Sequence, residues 1–239
     1  MDDPTQDTRS VPSTDPARAA ARRTWIVVGA IVGIVGGGIW LWEDVLEDRL
    51  IPKRWGVVDA PADAAAAATA ADGPGAGAIF RSGQLHPALV ERTLATHGVT
   101  VVVDLDDEET ASADAQAEAM ARLGIEHALF PLIGDGTGEI EQYAQAIARM
   151  VAARQAGETV LVHCSAGTYR TGGVVAMYRV LVEGASVEEA RAEMIRYNWK
   201  PKNPTLPRYL NANMRTLAER LVELGVLERV PDPLPRFPE

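Results

Sequence analysis

The chain has 239 residues, and with 47% hydrophobic and 23% charged residues it has the composition of a folded globular protein rather than of a disordered one. Its formal net charge of −10, with no basic stretch interleaved with aromatic residues, argues against a nucleic-acid-binding protein. A single cysteine excludes an internal disulfide and a Cys-x-x-Cys pair, and the four histidines lack the spacing of metal ligands, so we expect no metal and no other cofactor.

The N-terminal part of the chain predicts a disordered segment followed by a membrane helix. Residues 1–23 are dominated by Asp, Thr, Ser and Pro without apolar periodicity. Residues 24–42 carry no charge and would form a helix of about 28 Å, close to the thickness of the bilayer hydrocarbon core. Trp25 at one end and Trp40 and Trp42 at the other suit the two membrane interfaces. A buried core helix and a cleavable signal peptide are the alternatives, and the uninterrupted length favours an uncleaved single-pass anchor over both.

The charges that flank residues 24–42 predict the orientation of this helix. Arginines precede it and carboxylates follow it at once: Arg9, Arg18, Arg22 and Arg23 on one side, and Glu43, Asp44, Glu47 and Asp48 on the other. By the positive-inside rule the rest of the chain would lie outside the cytoplasm. Arg49, Lys53 and Arg54 weaken this bias, so a cytoplasmic domain remains the alternative.

Three glycines of the predicted membrane helix could support pairing of two chains. Gly29, Gly33 and Gly37 share one helix face at four-residue spacing, which is the pattern of closely packed membrane helices. The sequence therefore allows a homodimer through this face, and an unchanged crosslinking yield in Gly33→Ile would contradict it.

The remainder of the chain predicts one α/β domain between two less regular segments. Residues 43–78 are a juxtamembrane segment and an Ala/Gly/Pro-rich linker, in which 56–59 could be a first strand. From 79 to 228 strand and helix patterns alternate, which predicts a central, mostly parallel sheet flanked by helices. We predict strands at 100–105, 125–130 and 159–162, helices at 87–96, 111–123, 139–155, 171–182 and 187–197, and a C-terminal amphipathic helix that places Leu210, Met214, Leu217, Leu221 and Leu224 on one face. Residues 229–239 contain four prolines and form a non-helical tail.

The stretch His-Cys-Ser-Ala-Gly-Thr-Tyr-Arg-Thr-Gly at 163–172 is the most informative part of this domain. Cys164, the only cysteine, follows the strand at 159–162, and a helix would begin near Thr171. The N–H groups of the loop between them would converge at a helix N-terminus, which is a phosphate-binding arrangement that also stabilises a thiolate. Arg170 can add a planar guanidinium that grips two phosphate oxygens. An ordinary buried cysteine beside a solvated arginine is the alternative.

This pattern, His-Cys, five residues, then Arg followed by Ser or Thr, resembles the signature of the protein tyrosine phosphatase superfamily. The upstream segments Ile79–Gln84 (IFRSGQ) and Val101–Leu105 (VVVDL) resemble the opening of compact dual-specificity-like phosphatases of bacteria, fungi and plants. The resemblance covers roughly Trp55 to Trp199 and implies the phosphatase fold. It also implies a phosphorylated protein or a small phosphomonoester as the binding partner.

The resemblance implies a role for each residue of the loop. Cys164 would attack phosphorus and form a phosphocysteine that water then hydrolyses. Arg170 and the amides of the loop, from Ser165, Ala166, Gly167, Thr168 and Tyr169, would hold the phosphate oxygens. Thr171 would assist the thiolate as leaving group, and His163 would order the loop.

A general acid completes this chemistry, and family members take it from an aspartate on a mobile loop upstream of the cysteine. Asp135, in the glycine-rich segment 133–138, is the candidate. Since Asp-Gly is also a common turn pair, a purely structural Asp135 is the alternative, with Asp106 and Asp107 as substitutes for the role.

The composition of the loop bears on the substrate class. Members that act on inositol polyphosphates and phosphoinositides tend to carry lysines inside the loop, and residues 165–169 contain none. The sequence therefore favours an aryl ester of the phosphotyrosine type or a small phosphomonoester. A catalytically inactive, membrane-tethered phospho-binding module and a rhodanese-like sulfurtransferase, which also uses a cysteine in an anion-binding loop, are the alternatives to a phosphatase.

Overall fold

A computed structural model describes residues 50–59, 77–107 and 111–238 of the chain, all of which belong to one compact unit, Asp48–Glu239. The predicted disordered segment 1–23, the membrane helix at 24–42 and its three glycines lie outside the described residues. Among the residues that are described, no helix combines the length and the apolar character needed to cross a bilayer.

The described part of the chain is built on a five-stranded sheet. Its strands are β1 (Gly56–Asp59), β2 (Ile79–Gly83), β3 (Val101–Asp104), β4 (Glu126–Leu129) and β5 (Val160–Cys164), in the order β1-β2-β5-β3-β4. The pairs β2–β5, β5–β3 and β3–β4 are parallel, and the edge strand β1 pairs antiparallel with β2. The α/β layout predicted from the sequence is confirmed, with the qualification that β1 makes the sheet mixed.

Helices cover both faces of this sheet. They are α1 (Pro87–Thr96), α2 (Ala111–Leu123), α3 (Ile140–Gln155), α4 (Tyr169–Leu181), α5 (Val187–Arg196) and α6 (Thr205–Glu223). Successive residues of a strand point to opposite faces, so Val101 and Val103 pack in the core with helices α3 to α6, whereas Val102 packs in the core with α1 and α2. Burial on both faces explains why the inner strands are runs of β-branched residues rather than alternating ones.

The register of the parallel strands brings the carboxyl ends of β2, β5 and β3 together. β5 lies between β2 and β3, with Cys164 opposite Gly83 and His163 opposite Asp104. Because the strands are parallel, the loops that leave their carboxyl ends meet at the same place, which is where ligand sites of open α/β sheets lie.

Candidate active site

Cys164 is the last residue of β5, the middle strand of the sheet. Its side chain is only 2% exposed, and the Gly167 N–H donates to its sulfur over an N···Sγ distance of 3.2 Å. The strand therefore fixes the sulfur at the base of the loop that follows, and that loop curls back over it.

Three carbonyl groups of this loop are held from its outer side. The Gln84 N–H donates to the Ser165 carbonyl at 3.1 Å, Arg54 Nη1 to that of Ala166 at 2.5 Å, and Arg81 Nη2 to that of Gly167 at 3.0 Å. In a trans peptide the carbonyl and the following N–H point in opposite directions. This geometry directs the N–H groups of 166, 167 and 168 to the inner side, and for Gly167 the bond to the sulfur shows it.

Glycine is required at position 167 for two reasons. Its φ of +69° lies in the left-handed region, where a residue with a Cβ is strained. A Cβ added there would also lie 2.5 Å from the backbone nitrogen of Gly83. Because that neighbour is a backbone atom, no side-chain rotation can relieve the contact. The close packing of the loop against the end of β2 thus depends on this glycine.

Helix α4 begins at Tyr169, two residues before the predicted start, and no side chain caps it. Arg170 and Thr171 therefore lie in the first helical turn, whose N–H groups have no partner within the helix. Two side-chain donors at the same place are buried without a hydrogen-bond partner among the described residues, namely Arg170 Nε and Thr171 Oγ1. Donors that are buried and unused around one sulfur indicate a site for an oxyanion.

The remaining nitrogens of Arg170 contact two carboxylates that follow β3. Nη2 lies 2.7 Å from Asp106 Oδ1, and Nη1 pairs with Asp107. Asp106 Oδ1 also accepts from the Ser165 N–H at 2.8 Å. Burial on its own would lower the pKa of Arg170, but the negative charges of Asp106, Cys164 and Asp107 outweigh it, and the pKa is raised. Burial also raises the pKa of Asp106, against the opposing pull of Arg170.

His163 is fully buried behind the loop. Its Nε2 lies 2.6 Å from the side-chain amide nitrogen of Gln116 on α2 and 3.8 Å from Asp104 Oδ1. Asp104 also contacts His127 Nε2 through Oδ2 at 3.0 Å. Burial would raise the pKa of Asp104, but the two histidines and the Asp106 N–H outweigh it, so the pKa is lowered.

Asp104, Asp106 and His163 could in principle hold a metal ion, since one ligand atom from each lies within 4.8 Å of the others. The donor set fits a metal poorly, because Asp106 Oδ1 already accepts from the Ser165 N–H and from the Arg170 guanidinium. A fixed cation at that oxygen disfavours a second one beside it.

Asp135 lies in the loop between β4 and α3, and its side chain is exposed. Its Oδ1 accepts from the N–H and the hydroxyl of Thr137, at 2.9 and 2.7 Å. The loop itself packs against the start of α4: a Cβ added at Gly136 would lie 2.9 Å from the Tyr169 carbonyl oxygen. The fully buried Tyr143 holds it there by donating to the Gly136 carbonyl at 2.5 Å. The structure thus places the Asp135 loop beside the loop that carries Cys164.

Several residues that shape the site were not predicted from the sequence: Arg54, Arg81, Gln116 and Glu193. Arg81 is fully buried in β2 and bonds both the Gly167 carbonyl and Glu193. An arginine directly after the apolar pair Ile79-Phe80 of a predicted buried segment was the signal that could have found it. Gln116 and Glu193 lie on amphipathic helices, where a polar residue is ordinary and carries no such signal.

Comparison with known families matches residues 49–205 to a family described as DSP-PTPase phosphatase fused to NAD+ kinase. This match confirms the resemblance to the protein tyrosine phosphatase superfamily.

Similar solved structures include the Siw14 catalytic core, a protein of S. cerevisiae, at 15% identity over 66% of this chain and 90% of that one, with a TM-score of 0.51. TpbA of P. aeruginosa matches at 20% identity over 62% of this chain and 86% of that one, with a TM-score of 0.49. PTPMT1 in complex with PI(5)P matches at 16% identity over 72% and 97%, also with a TM-score of 0.49. At such identities the likeness to Siw14 shows a shared fold. No curated protein matches the chain.

Proposed function

Because the chain belongs to the DSP-PTPase family and is thus a phosphatase of the dual-specificity type, we propose that it hydrolyses phosphomonoesters through a phosphocysteine intermediate on Cys164. The observation that carries this proposal is the set of unused donors around the sulfur, namely Arg170 Nε, Thr171 Oγ1 and the uncapped N-terminus of α4. A phosphate dianion is a ligand that could satisfy these donors together.

In the first step the thiolate of Cys164 attacks phosphorus and the ester oxygen leaves. The inward N–H groups of the loop and the free Nε of Arg170 stabilise the three equatorial oxygens, over which the negative charge of the transition state is spread. The leaving oxygen takes a proton from Asp135, the aspartate on the adjoining loop.

In the second step water attacks the phosphocysteine, the S–P bond breaks, and inorganic phosphate leaves. Asp135, now ionised, accepts a proton from this water. The water occupies the place of the alcohol that left in the first step, so the group that protonated the alcohol can deprotonate the water. The hydroxyl of Thr171 donates to the departing thiolate, which explains why a buried hydroxyl without another partner stands directly after Arg170. His163 stays behind the loop as a support.

The loop is consistent with the substrate class favoured by its sequence. Arg170 is the only basic residue between 163 and 172 other than His163, so the loop carries little charge beyond what one phosphate group needs. We therefore propose a phosphotyrosine-type aryl ester or a small phosphomonoester as substrate.

The test is hydrolysis of p-nitrophenyl phosphate by the full chain and by Cys164→Ser. The wild type should turn the ester over, and Cys164→Ser should reduce the rate to background, because an alcohol of ordinary acidity cannot replace the thiolate. Iodoacetamide should inactivate the wild type, and orthovanadate should slow that inactivation by occupying the loop.

Each arm can contradict the proposal separately. Binding of orthovanadate without any turnover would favour the inactive phospho-binding module. Transfer of sulfur from thiosulfate, without phosphatase activity, would favour the rhodanese-like alternative.

A further inference from the structure

Two tyrosine hydroxyls bond the backbone of the glycine-rich segment 133–138, which carries the proposed general acid and is called the acid loop below. Tyr143 of α3 donates its hydroxyl to the Gly136 carbonyl at 2.5 Å, and Tyr209 of α6 donates to the Gly138 carbonyl at 2.9 Å. The two rings also contact each other, with their centroids 5.7 Å apart. Two helices that are far apart in the chain thus hold one short loop from its two glycine carbonyls.

Thr137, the residue between these two glycines, fixes the Asp135 carboxylate. Asp135 Oδ1 accepts from the Thr137 N–H at 2.9 Å and from the Thr137 hydroxyl at 2.7 Å. The backbone of the acid loop also closes on itself, because the Ile133 N–H donates to the Thr137 carbonyl at 2.9 Å and the Gly136 N–H donates to the Ile133 carbonyl at 2.8 Å. The position of the carboxylate therefore depends on the backbone on both sides of Thr137, which is the backbone that the tyrosines bond.

The hydroxyl of Tyr143 lies in a space that helix α4 leaves open. The tyrosine is fully buried, and a Cβ added at Gly173 of α4 would lie 2.2 Å from its oxygen. Leu206 of α6 closes another side, since its Cδ1 would lie 3.0 Å from a Cβ added at Gly136 and 3.2 Å from one added at Gly173. Packed atoms thus enclose the hydroxyl and direct it to one acceptor, the Gly136 carbonyl.

Both hydroxyls keep their protons and remain donors at neutral pH. Burial raises the pKa of Tyr143 well above its ordinary value of 10.0, and it raises the pKa of Tyr209 to about 12. The negative charges of Asp135 and Cys164 raise the pKa of Tyr143 further, so this hydroxyl lies within electrostatic reach of both the proposed acid and the nucleophile. Ionisation therefore does not release the acid loop under ordinary assay conditions.

We propose that Tyr143 and Tyr209 are positioning residues for the general acid, and that their hydroxyls fix Asp135 beside the phosphate loop before a substrate binds. The proposal rests on the phosphatase function and deepens it, since it states how the acid reaches its working position. A glycine-rich loop without such bonds would have to close after binding. Here the loop is ordered when the domain folds, and a bound ester meets an acid that is already oriented.

Removal of either hydroxyl should impair protonation of the leaving group more than attack by the thiolate. Tyr143→Phe and Tyr209→Phe should each lower kcat/KM for phenyl phosphate about 10-fold, which is part of the effect of a whole general acid. For p-nitrophenyl phosphate, whose leaving group needs no proton, the change should stay below about twofold. The matched control is Tyr178→Phe, because Tyr178 is also buried but bonds Asp59, and it should leave the ratio of the two rates as in the wild type.

Combination with Asp135→Asn separates positioning from a general loss of structure. If the tyrosines act through Asp135, Tyr143→Phe should lower the rate with phenyl phosphate no further in the Asp135→Asn background. A loss from the tyrosine variants that is equal for the two esters, or that adds in full to the loss from Asp135→Asn, would overturn the inference. An equal effect of Asp135→Asn itself on the two esters would overturn the assignment of the acid, and with it the role of the tyrosines.

Amide hydrogen exchange tests the acid loop without any turnover. The N–H groups of Ile133, Gly136 and Thr137 are bonded inside the loop, so their exchange, followed by NMR, should be slow in the ligand-free wild type. It should be about 10-fold faster in Tyr143→Phe and in Tyr209→Phe, the effect of one lost hydrogen bond. Tyr178→Phe should keep the slow exchange. Equal exchange in the wild type and in both variants of the acid loop would overturn the inference.

The two measurements also separate this inference from the proposed function. Faster exchange in the two tyrosine variants, with no turnover of either ester by the wild type, would count against the catalytic proposal alone. Unchanged exchange in both variants, in an enzyme that hydrolyses both esters, would count against the inference alone.

Discussion

Asp135 and Asp106 illustrate how two aspartates near one site differ in what they can do. Asp106 is buried, and its Oδ1 already accepts from Arg170 and from the Ser165 N–H. Asp135 is exposed on a loop that packs against the start of α4, so its proton can exchange with solvent between turnovers. These differences favour Asp135 as the acid and Asp106 as a partner of the arginine.

Asp135→Asn should slow the enzyme according to the leaving group. Hydrolysis of phenyl phosphate should fall by about 100-fold, because phenoxide needs the proton, while p-nitrophenyl phosphate should be affected much less. Steady-state kcat for a series of substituted phenyl phosphates measures this. Glu139→Gln, an exposed change near the end of the same loop, is the control. Equal loss across the series would transfer the acid role to Asp107 or Asp106, to be tested in the same way.

Asp104 should make the stability of the protein depend on pH. Its pKa is lowered from the ordinary value of 3.8, because His163 and His127 outweigh the effect of burial. A carboxyl with a lowered folded-state pKa stabilises the fold above that ordinary value and loses its contribution as the pH falls through the lowered one. Asp104→Asn should therefore cost about 1–3 kcal/mol at pH 6, and the cost should shrink below about pH 3. Urea denaturation at both pH values tests this, and a cost that does not change with pH would contradict it.

The sequence predicted the part of the site that is contiguous in the chain. Cys164, Arg170 and Thr171 are brought together by one strand, one loop and one helix, so their spacing is informative. Arg81 lies in β2 and Glu193 on α5, 112 residues along the chain, and the two meet only in the folded domain. No local pattern encodes such a contact, and the structure was needed to find it.

At the scale of elements, the loop at 164–170 is fixed by its neighbours more than by its own residues. β2 supplies Arg81, the segment before β1 supplies Arg54, and both bond carbonyls of the loop. Arg81 in turn is held by Glu193 of α5, which also pairs with Arg179 of α4. The amides that face the sulfur are therefore oriented before any ligand binds, which is the preorganisation that electrostatic catalysis requires.

Gly167→Ala should break this arrangement. The added methyl group meets the backbone of Gly83 at 2.5 Å in a left-handed conformation, so the loop must move. We expect at least a 100-fold loss of kcat/KM, comparable to the loss of one oxyanion donor, and loss of protection by orthovanadate. Gly134→Ala is the control for the free energy of unfolding, since nothing lies within 4 Å of a Cβ added at that position. Normal activity in Gly167→Ala would show that the loop does not need its present form.

Glu193→Gln should destabilise the fold. Arg81 has no exposed side-chain surface, and removal of the charge it pairs with leaves a buried cation with weaker compensation. The expected loss is about 3 kcal/mol of unfolding free energy, measured by urea denaturation. Glu188→Gln, an exposed change on the same helix, should stay within about 0.5 kcal/mol of the wild type. A similarly small effect at Glu193 would mean that Arg81 is supported by Tyr197, whose ring centroid lies 3.8 Å from the guanidinium, and not by charge.

Boundaries of elements were predicted less well than their existence. Helix α4 starts at Tyr169 rather than at Thr171, because the last residues of the loop are already helical and Arg170 lies in the first helical turn. Helix α6 starts at Thr205, one turn before the leucine pattern that predicted it becomes visible. Both of these first turns are buried, at Thr171 and at Leu206, so the boundaries were missed although the turns belong to the folded core.

At the scale of the whole molecule, the alternation of strands and helices predicted the α/β class but not the order of the strands in the sheet. β5 pairs with β2 and β3, each of which precedes it by more than 50 residues. Which strands become neighbours depends on the packing of α1 and α2 on one face and α3 to α6 on the other. The side-chain pattern of a single strand contains no such information.

The membrane helix at 24–42 and its orientation remain predictions. A β-lactamase that protects cells only when it is outside the cytoplasm, fused after Glu239, should confer resistance if the positive-inside rule holds for this chain. The same fusion without residues 1–42 should confer none. Resistance from neither fusion, with the full-length fusion found in the membrane, would place the phosphatase domain in the cytoplasm, where protein kinases have their ATP.

The edge strand β1 bears on how the protein can be shortened. A recombinant version that begins at residue 79 would keep every residue of the signature loop and would appear complete by motif. It would nevertheless expose the flank of β2, an open edge that invites aggregation, and would release the Ala166 carbonyl from Arg54 and the Gly83 amide from Lys53. Weak activity from such a version would therefore reflect the loss of the contacts from Arg54 and Lys53. A version that starts upstream of Lys53 should recover full activity.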